Sequence, residues 1–284
     1  MKKECVVVIL SHNSAGIIGE TLRQALKVST NVLLVDSGST DATCDIAEKL
    51  GCTVLQRPFS NYSDQRNWAI EQVTNEYEWQ LHLDADEVLD ELAIEEIRMT
   101  VATGKHSAYM LRRRDYFMGR ELKHSGVNPW HLRLFRSGVG HCENRLYDQH
   151  FYSNEPAVKL RGWMHDKNAL TLSDWTARHN RWSDLESKEG DTKNEEKSDV
   201  LQAKVFGDPR ERVRFIKHLY YKMPGGIRAI VYFIYRYLIR LGFLDGKEGL
   251  YFAFFQALWF RMLVDAKIYE RQQTQDIQTM IHPG

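Results

Sequence analysis

The chain has 284 residues, enough for one large domain or a domain with an appendage. Its 38 basic and 38 acidic residues leave a net charge of +0, which argues against a general nucleic-acid binder. Cys5, Cys44, Cys52 and Cys142 form no Cys-x-x-Cys pair and read as reduced thiols of a cytosolic protein.

The apolar run at residues 5–10 is too short for a secretory signal. No stretch of about 18 uncharged apolar residues follows, so neither export nor a membrane-spanning helix is expected. Residues 6–10 read as a strand buried on both faces. Residues 17–28 place Ile18, Leu22, Ala25 and Leu26 at helical spacing. A second strand covers 31–35, and Thr40 or Asp41 can cap a helix that runs to 50. Strands at 52–55 and 79–83 flank a helix at 65–73. Strands that alternate with helices imply an α/β fold with a mostly parallel sheet and right-handed crossovers. A helix at 91–102 closes this half. Strands at 107–112 and 131–135 follow, separated by an aromatic and basic loop at 113–130.

The expected organisation is a catalytic domain at 1–185, with a ligand-binding half at 1–90 and a second half at 91–185. Residues 186–208 read as a charged linker or exposed helix. Residues 209–284 form a basic, aromatic helical region. Over 209–247, nine Lys or Arg stand against two acids. Amphipathic basic helices too short or too charged to span fit an in-plane membrane-surface mode.

Three polar sets close the predicted strands. Ser11, His12 and Asn13 end the first, and Asp36, Ser37, Gly38, Ser39, Thr40 and Asp41 end the second. Asp84, Asp86 and Glu87 end the fourth. Open α/β sheets bind ligands at the carboxyl ends of their strands. An Asp there accepts hydrogen bonds from a base or ribose, and Gly38 lets the backbone come close. Paired carboxylates supply hard oxygen ligands for Mg²⁺ or Mn²⁺ carrying a phosphate. The plainer alternatives are a capped turn for Asp36 and an acidic helix start for Asp84 and Asp86.

In order and spacing, these sets resemble the family 2 inverting glycosyltransferases of the GT-A fold. The run Ser63-Asp64-Gln65-Arg66-Asn67-Trp68-Ala69 is similar to that family's donor-site helix start. Tyr116 to Arg120, His131 to Arg136 and Leu241 to Gly246 resemble the bacterial subgroup that contains lipopolysaccharide-core β-glucosyltransferases. The resemblance implies a GT-A fold with a C-terminal amphipathic helical region. It implies transfer of a hexose from a nucleotide-diphosphate sugar, UDP-linked, to a lipid-linked or lipopolysaccharide-type saccharide. Such a protein would sit peripherally on the cytoplasmic face of the bacterial plasma membrane.

On the same resemblance, Ser11, Asn13, Asp36, Gly38, Arg66 and Asp84 bind the donor, and Asp86 with Asp84 holds Mg²⁺ or Mn²⁺. Inversion requires a general base for the acceptor hydroxyl. Asp148 and Glu143 are the candidates, and a salt bridge to Arg133, Arg136 or Arg145 is the structural alternative for either. The family's His-Glu pair is replaced here by Asp148 and Gln149. His165 is a candidate diphosphate contact, Arg112, Arg113 and Arg114 a phosphate clamp, and Trp130, Trp163 and Trp182 sugar-stacking or core residues. Two other readings remain: a nucleotidyltransferase, disfavoured by the single Gly in residues 11–16, and a non-catalytic membrane-surface scaffold.

Overall fold

The computed structural model describes residues 2–145, 148–167, 171–189 and 204–281. The described chain folds as two compact units. The first comprises residues 1–119 and 127–169, the second 120–126 and 170–284.

In the first unit, the apolar run of β1 (Lys3–Ser11) leaves Val7, Val8 and Ile9 with no exposed surface. Such a strand is stable only with cover on both faces. The helix α1 (Ile18–Val28) supplies part of it, burying Ile18, Leu22 and Ala25. Then come β2 (Val32–Asp36), α2 (Thr43–Lys49) and β3 (Thr53–Gln56). The helix α3 (Tyr62–Thr74) begins earlier than expected, because Asn61 caps it by accepting from the Asp64 amide at 2.9 Å. It leads into β4 (Tyr77–Asp84), the short β5 (Glu87–Leu89) and α4 (Glu91–Thr103). The remaining strands are β6 (Ala108–Phe117), β7 (Arg120–Glu121, in the segment 120–126 of the second unit), β8 (Trp130–Arg136), β9 (Gly140–Cys142), β10 (Phe151–Ser153) and β11 (Ala157–Asp166).

The main sheet runs β3-β2-β1-β4-β8-β6-β11-β5. Strands β1 to β4 pair in parallel, as do β6 and β11, while β8 runs antiparallel to both β4 and β6. The carboxyl ends of β1, β2, β4, β6 and β11 therefore share one sheet edge. The α/β class and the helical C-terminal region agree with the sequence reading. Strand β6 runs on to Phe117, into the segment expected to be a loop. Its charged end is held by parallel pairing with β11 as far as Asp115 opposite Asp166.

The second unit contains α5 (Leu172–Glu189), α6 (Pro209–Tyr221), α7 (Ile227–Ile234), α8 (Gly246–Phe252) and α9 (Phe260–Ile281). A π-helical segment extends α7 over Tyr235–Ile239, and another joins α8 to α9 over Ala253–Trp259. The expected catalytic boundary at 185 falls inside α5, which groups with the C-terminal helices. The cause is a buried ionic centre. Glu186 accepts from the Tyr221 hydroxyl at 2.7 Å and lies 2.9 Å from both Lys217 Nζ and Arg261 Nη1. Burial opposes its charge, but these two cations overcome that and hold its carboxyl down at about 2. Of the expected linker at 186–208, residues 190–203 lie outside the described residues. Asp245 fixes the turn before α8 to the 120–126 segment, accepting from the amides of Lys123, His124 and Ser125 and from the Ser125 hydroxyl. Among the described residues, no helix is long and apolar enough to cross a membrane.

Gly162 lies where the register of β11 shifts against β6, and a Cβ there would come within 2.2 Å of the Ala93 amide nitrogen in α4. Gly162→Ala must push strand and helix apart, at a cost of roughly 1–3 kcal/mol. Thermal denaturation should show a melting point lower by about 2–4 °C for each kcal/mol.

Candidate functional site

The loops after β1 and β2 are laced together by side chains. Asn13 has φ 46°, in the left-handed region that Asn tolerates. Its amide donates to Ser39 Oγ at 2.8 Å, and its Oδ1 accepts from the Thr40 amide at 2.8 Å. The Ser14 amide donates to Thr43 Oγ1 and the Ala15 amide to Asp41 Oδ2. Asp36 sits beneath with 0% exposure. Its Oδ1 accepts from Ser11 Oγ at 2.9 Å and Ser39 Oγ at 2.5 Å; its Oδ2 accepts from the amides of Gly38 and Ser39. Burial raises its pKa, and these hydrogen bonds outweigh that to lower it. The carboxylate expected to meet a base or ribose thus accepts four hydrogen bonds, three from its own loop and one from Ser11 at the end of β1. Gly38, at φ 83°, makes the turn possible.

The second centre lies at the end of β4. Arg66 Nη2 reaches both oxygens of Asp84, at 3.0 and 3.3 Å, and Arg133 Nη2 reaches Asp84 Oδ2 at 3.0 Å. Arg133 also pairs with Glu87, which is 1% exposed. Glu87 Oε2 accepts from the Asp84 amide at 2.9 Å, closing the loop on itself. Burial raises the Asp84 carboxyl, but Arg66 and Arg133 overcome that and hold it well below the usual carboxylate range. Glu87 goes the other way. Burial is the main cause; Arg133 opposes it, the Asp84 charge reinforces it, and the carboxyl is pushed up to about 7.

Asp86, between these two, lines a cleft of about 480 Å³ with Ala15, Gly16, Thr21, Val88 and Lys167. Its carbonyl accepts from the Lys167 amide at 2.9 Å, tying the loop to the end of β11. One strand position earlier, His165 Nδ1 lies 3.2 Å from the Tyr116 hydroxyl. Among the described residues, no group of three His, Cys, Asp or Glu side chains gathers around a common point. Mg²⁺ and Mn²⁺ sites do not need one. Such ions commonly take one or two carboxylates and complete their shell with water and phosphate oxygens. Asp84 and Asp86 are carboxylates of the kind such ions take.

Helix α3 ties the centres together. Gln65 Nε2 donates to Ser37 Oγ at 3.1 Å, and Arg66 holds Asp84. Asn67 exchanges two hydrogen bonds with the backbone of Cys142, at 2.9 and 3.0 Å. Ser63 Oγ donates to the Glu143 carbonyl at 2.6 Å. Both base candidates therefore lie on a segment docked to the same helix. Glu143 has no exposed surface, and its Oε2 accepts from the His150 amide at 2.9 Å and lies 3.3 Å from His150 Nδ1. Asp148 is 36% exposed and lies 3.9 Å from His150 Nε2. His150 thus stands between the buried acid and the accessible one.

Arg133, Gln65, Asn67 and His150 carry much of this geometry and were not singled out by sequence reasoning as site residues. Arg133 left a signal, as one Arg within the apolar run of β8. A charge there requires a buried acidic partner.

A glycosyl transferase family 2 model matches residues 6–155, and the chain belongs to that family. It is 32% identical over 102 residues to an uncharacterized glycosyltransferase of Rickettsia conorii, a match that spans only about a third (36%) of that relative. It is 26% identical over 280 residues to the lipopolysaccharide core biosynthesis glycosyltransferase LpsC of Rhizobium meliloti, covering 93% of this chain and 91% of that one. Among solved structures, S. aureus TarS 1-349 in complex with UDP-GlcNAc is similar at TM-score 0.47 and 14% identity, over 95% of this chain and 92% of that one.

Because Glu87 has a folded pKa above its unfolded value, folding favours its protonated form. That contribution is complete below the unfolded pKa and is lost as pH rises through about 7. Urea unfolding from about pH 5 to about pH 8 should show wild type losing stability relative to Glu87→Gln.

Proposed function

We propose that this chain transfers a hexose from a UDP-linked donor to a hydroxyl of a lipid-linked saccharide, with inversion at the anomeric carbon. The observation that carries this reading is the convergence of the laced β1 and β2 loops with Asp84 and Asp86 on one sheet edge. Membership of the family and the full-length similarity to a lipopolysaccharide core enzyme support the same substrate class. Asp36 organises the donor loop from below, leaving Asn13 and the backbone around Gly38 to face the nucleotide. Arg66 and Arg133 keep Asp84 ionised and fixed in position.

Mg²⁺ or Mn²⁺, held by Asp86 with Asp84 beside it, would neutralise charge on the departing diphosphate. Asp148 is the better base. It is accessible, whereas Glu143 is buried and engaged with His150. In this reading Glu143 is a positioning residue that holds His150, and His150 orients Asp148.

The second unit supports action at a membrane surface. Ile227, Ile230, Ile234 and Leu238 recur at helical spacing through α7 and its π-helical extension. They remain 57%, 48%, 43% and 51% exposed. On α6, Ile216 and Leu219 add 63% and 57%. Arg228 of α7 and Arg236 of its extension are buried, so that face is apolar, whereas on α6 the exposed Arg212 stands beside the exposed aliphatics; together they suit helix faces resting among anionic headgroups. We place the protein on the cytoplasmic face of the plasma membrane, where nucleotide sugars are made.

Asp148→Asn should lower kcat by about 10²–10⁴-fold with KM for the donor nearly unchanged, as expected for loss of a general base. Glu143→Gln should fall less. Full activity of Asp148→Asn would remove Asp148 from the role. In the same series, Mn²⁺ with UDP should raise the melting point of wild type but not of Asp86→Asn.

Ile234→Asp/Leu238→Asp should shift the protein from the pellet to the supernatant when it is sedimented with anionic vesicles. Both positions are exposed, so circular dichroism should be unaltered. Unchanged sedimentation would reject this face as the contact.

A further inference from the structure

The run at 241–246 has no part in the chemistry proposed above, and its conformation is unusual. Leu241 has φ 59° and ψ 33°, the left-handed region that Gly and Asn enter readily and a branched apolar residue does not. Its side chain is nonetheless exposed. Leu238 and Ile239, at the end of the π-helical segment, are exposed as well, as are Phe243 and Leu244 in the turn that follows. Each of these five apolar residues is between 44% and 69% exposed.

The turn is pinned from its inner side, which keeps these side chains from being buried by collapse. A Cβ at Gly242 would lie 2.7 Å from the Arg236 carbonyl oxygen, and one at Gly249 of α8 would lie 2.3 Å from the Gly242 carbonyl oxygen. Helix end, turn and α8 therefore meet backbone to backbone. Asp245, 3% exposed, accepts from the amides of Lys123, His124 and Ser125, and Arg236 donates to the Ser125 carbonyl. Strained backbone that holds apolar side chains in water is unfavourable by itself and marks a place where a partner takes them up.

Charge indicates the partner. Arg240 and Lys247 flank the turn in the chain, and Asp245 brings Lys123 to it. Among the described residues, none of these three cations has a carboxylate partner. The neighbouring Glu248 is paired with Arg120 at 3.2 Å. A second copy of the same tip would set like charges together, which disfavours self-association through it. An anionic bilayer matches both features. Apolar side chains reach hydrocarbon there, while Lys and Arg stay with the phosphates.

We infer that residues 238–244 form a wedge that penetrates below the headgroups of an anionic membrane, with Lys123, Arg240 and Lys247 at headgroup level. The inference rests on the membrane reading above and deepens it: α6 and α7 lie among headgroups, whereas the wedge enters the acyl chains.

The test uses the full chain and vesicles of phosphatidylcholine containing one quarter phosphatidylglycerol. Cys5, Cys52 and Cys142 are buried, so Cys44→Ser leaves the surface clear for a single label. An environment-sensitive fluorophore is attached at Leu244→Cys or, separately, at Lys247→Cys. On binding, the probe at 244 should shift to shorter wavelength and be quenched more by nitroxides deep in the acyl chains than by nitroxides on the headgroups. The probe at 247 should show the opposite order. In unlabelled protein, Leu241→Asn/Leu244→Ser should lower vesicle affinity about tenfold or more. Its circular dichroism should be unaltered, because Asn suits the left-handed position. If a labelled chain misfolds, sedimentation of the double variant decides. A water-like environment for the probe at 244 on vesicle-bound protein would overturn the wedge and leave α6 and α7 as the contact, as would wild-type affinity in the double variant. If wild type does not bind the vesicles, the wedge and the membrane reading fall together.

Discussion

The Asp84 carboxylate held between two guanidiniums is the constraint on which the rest of the site depends. An ionised acid at the end of a buried strand is stable only if cations are brought to it, and breaking such a pair leaves an uncompensated charge. Arg66 comes from α3 and Arg133 from β8, so one ion cluster joins helix, parallel sheet and antiparallel strand. Glu87 extends the cluster to β5, which pairs with β11. These four side chains together brace the loop that carries Asp86.

Around that cluster the fold works as a set of braces. Asp36 braces the β2 loop from beneath, and Asn13 laces it to the β1 loop. Helix α3 sends Gln65 to the first centre, Arg66 to the second, and Ser63 and Asn67 to the segment with the base candidates. The polar run Ser63-Asp64-Gln65-Arg66-Asn67 on a helix is thus explained by its partners. Ser63 and Asn67 satisfy backbone groups, Gln65 the Ser37 hydroxyl and Arg66 the Asp84 carboxylate, while Asp64 pairs with Arg57. Asp86, which lines the cleft, and Asp148, 36% exposed, are supported by neighbours that are more deeply buried.

Much of this was legible in the sequence, and the rest was not for physical reasons. Continuous apolar runs at β1, β2 and β4 announce strands buried on both faces, and polar sets at their ends announce the functional edge. Period and turn chemistry are local properties, so they read well. Strand β6 beyond residue 112 did not, because charged residues look like loop until β11 supplies the pairing. The burial of Asp36 was also hidden. Its donors Ser11, Gly38 and Ser39 are visible as letters, but their closure over the carboxylate is tertiary. The grouping of α5 with the C-terminal helices rests on Glu186 meeting Lys217 and Arg261, and no local pattern forecasts that. The sequence favours Asp148 over Glu143 only slightly, and the two candidate bases separate more widely by exposure, with His150 between them.

The most direct test of the account is the anomeric configuration of the sugar at the moment of transfer. Proton NMR of the first product formed from an α-linked UDP-hexose, recorded before mutarotation or with a simple alcohol as acceptor, reads it. The account predicts the β-anomer, because in the proposed reaction Asp148 would activate the incoming hydroxyl on the face opposite the departing diphosphate. An α-linked product would contradict it, since a single in-line displacement at the anomeric carbon inverts its configuration.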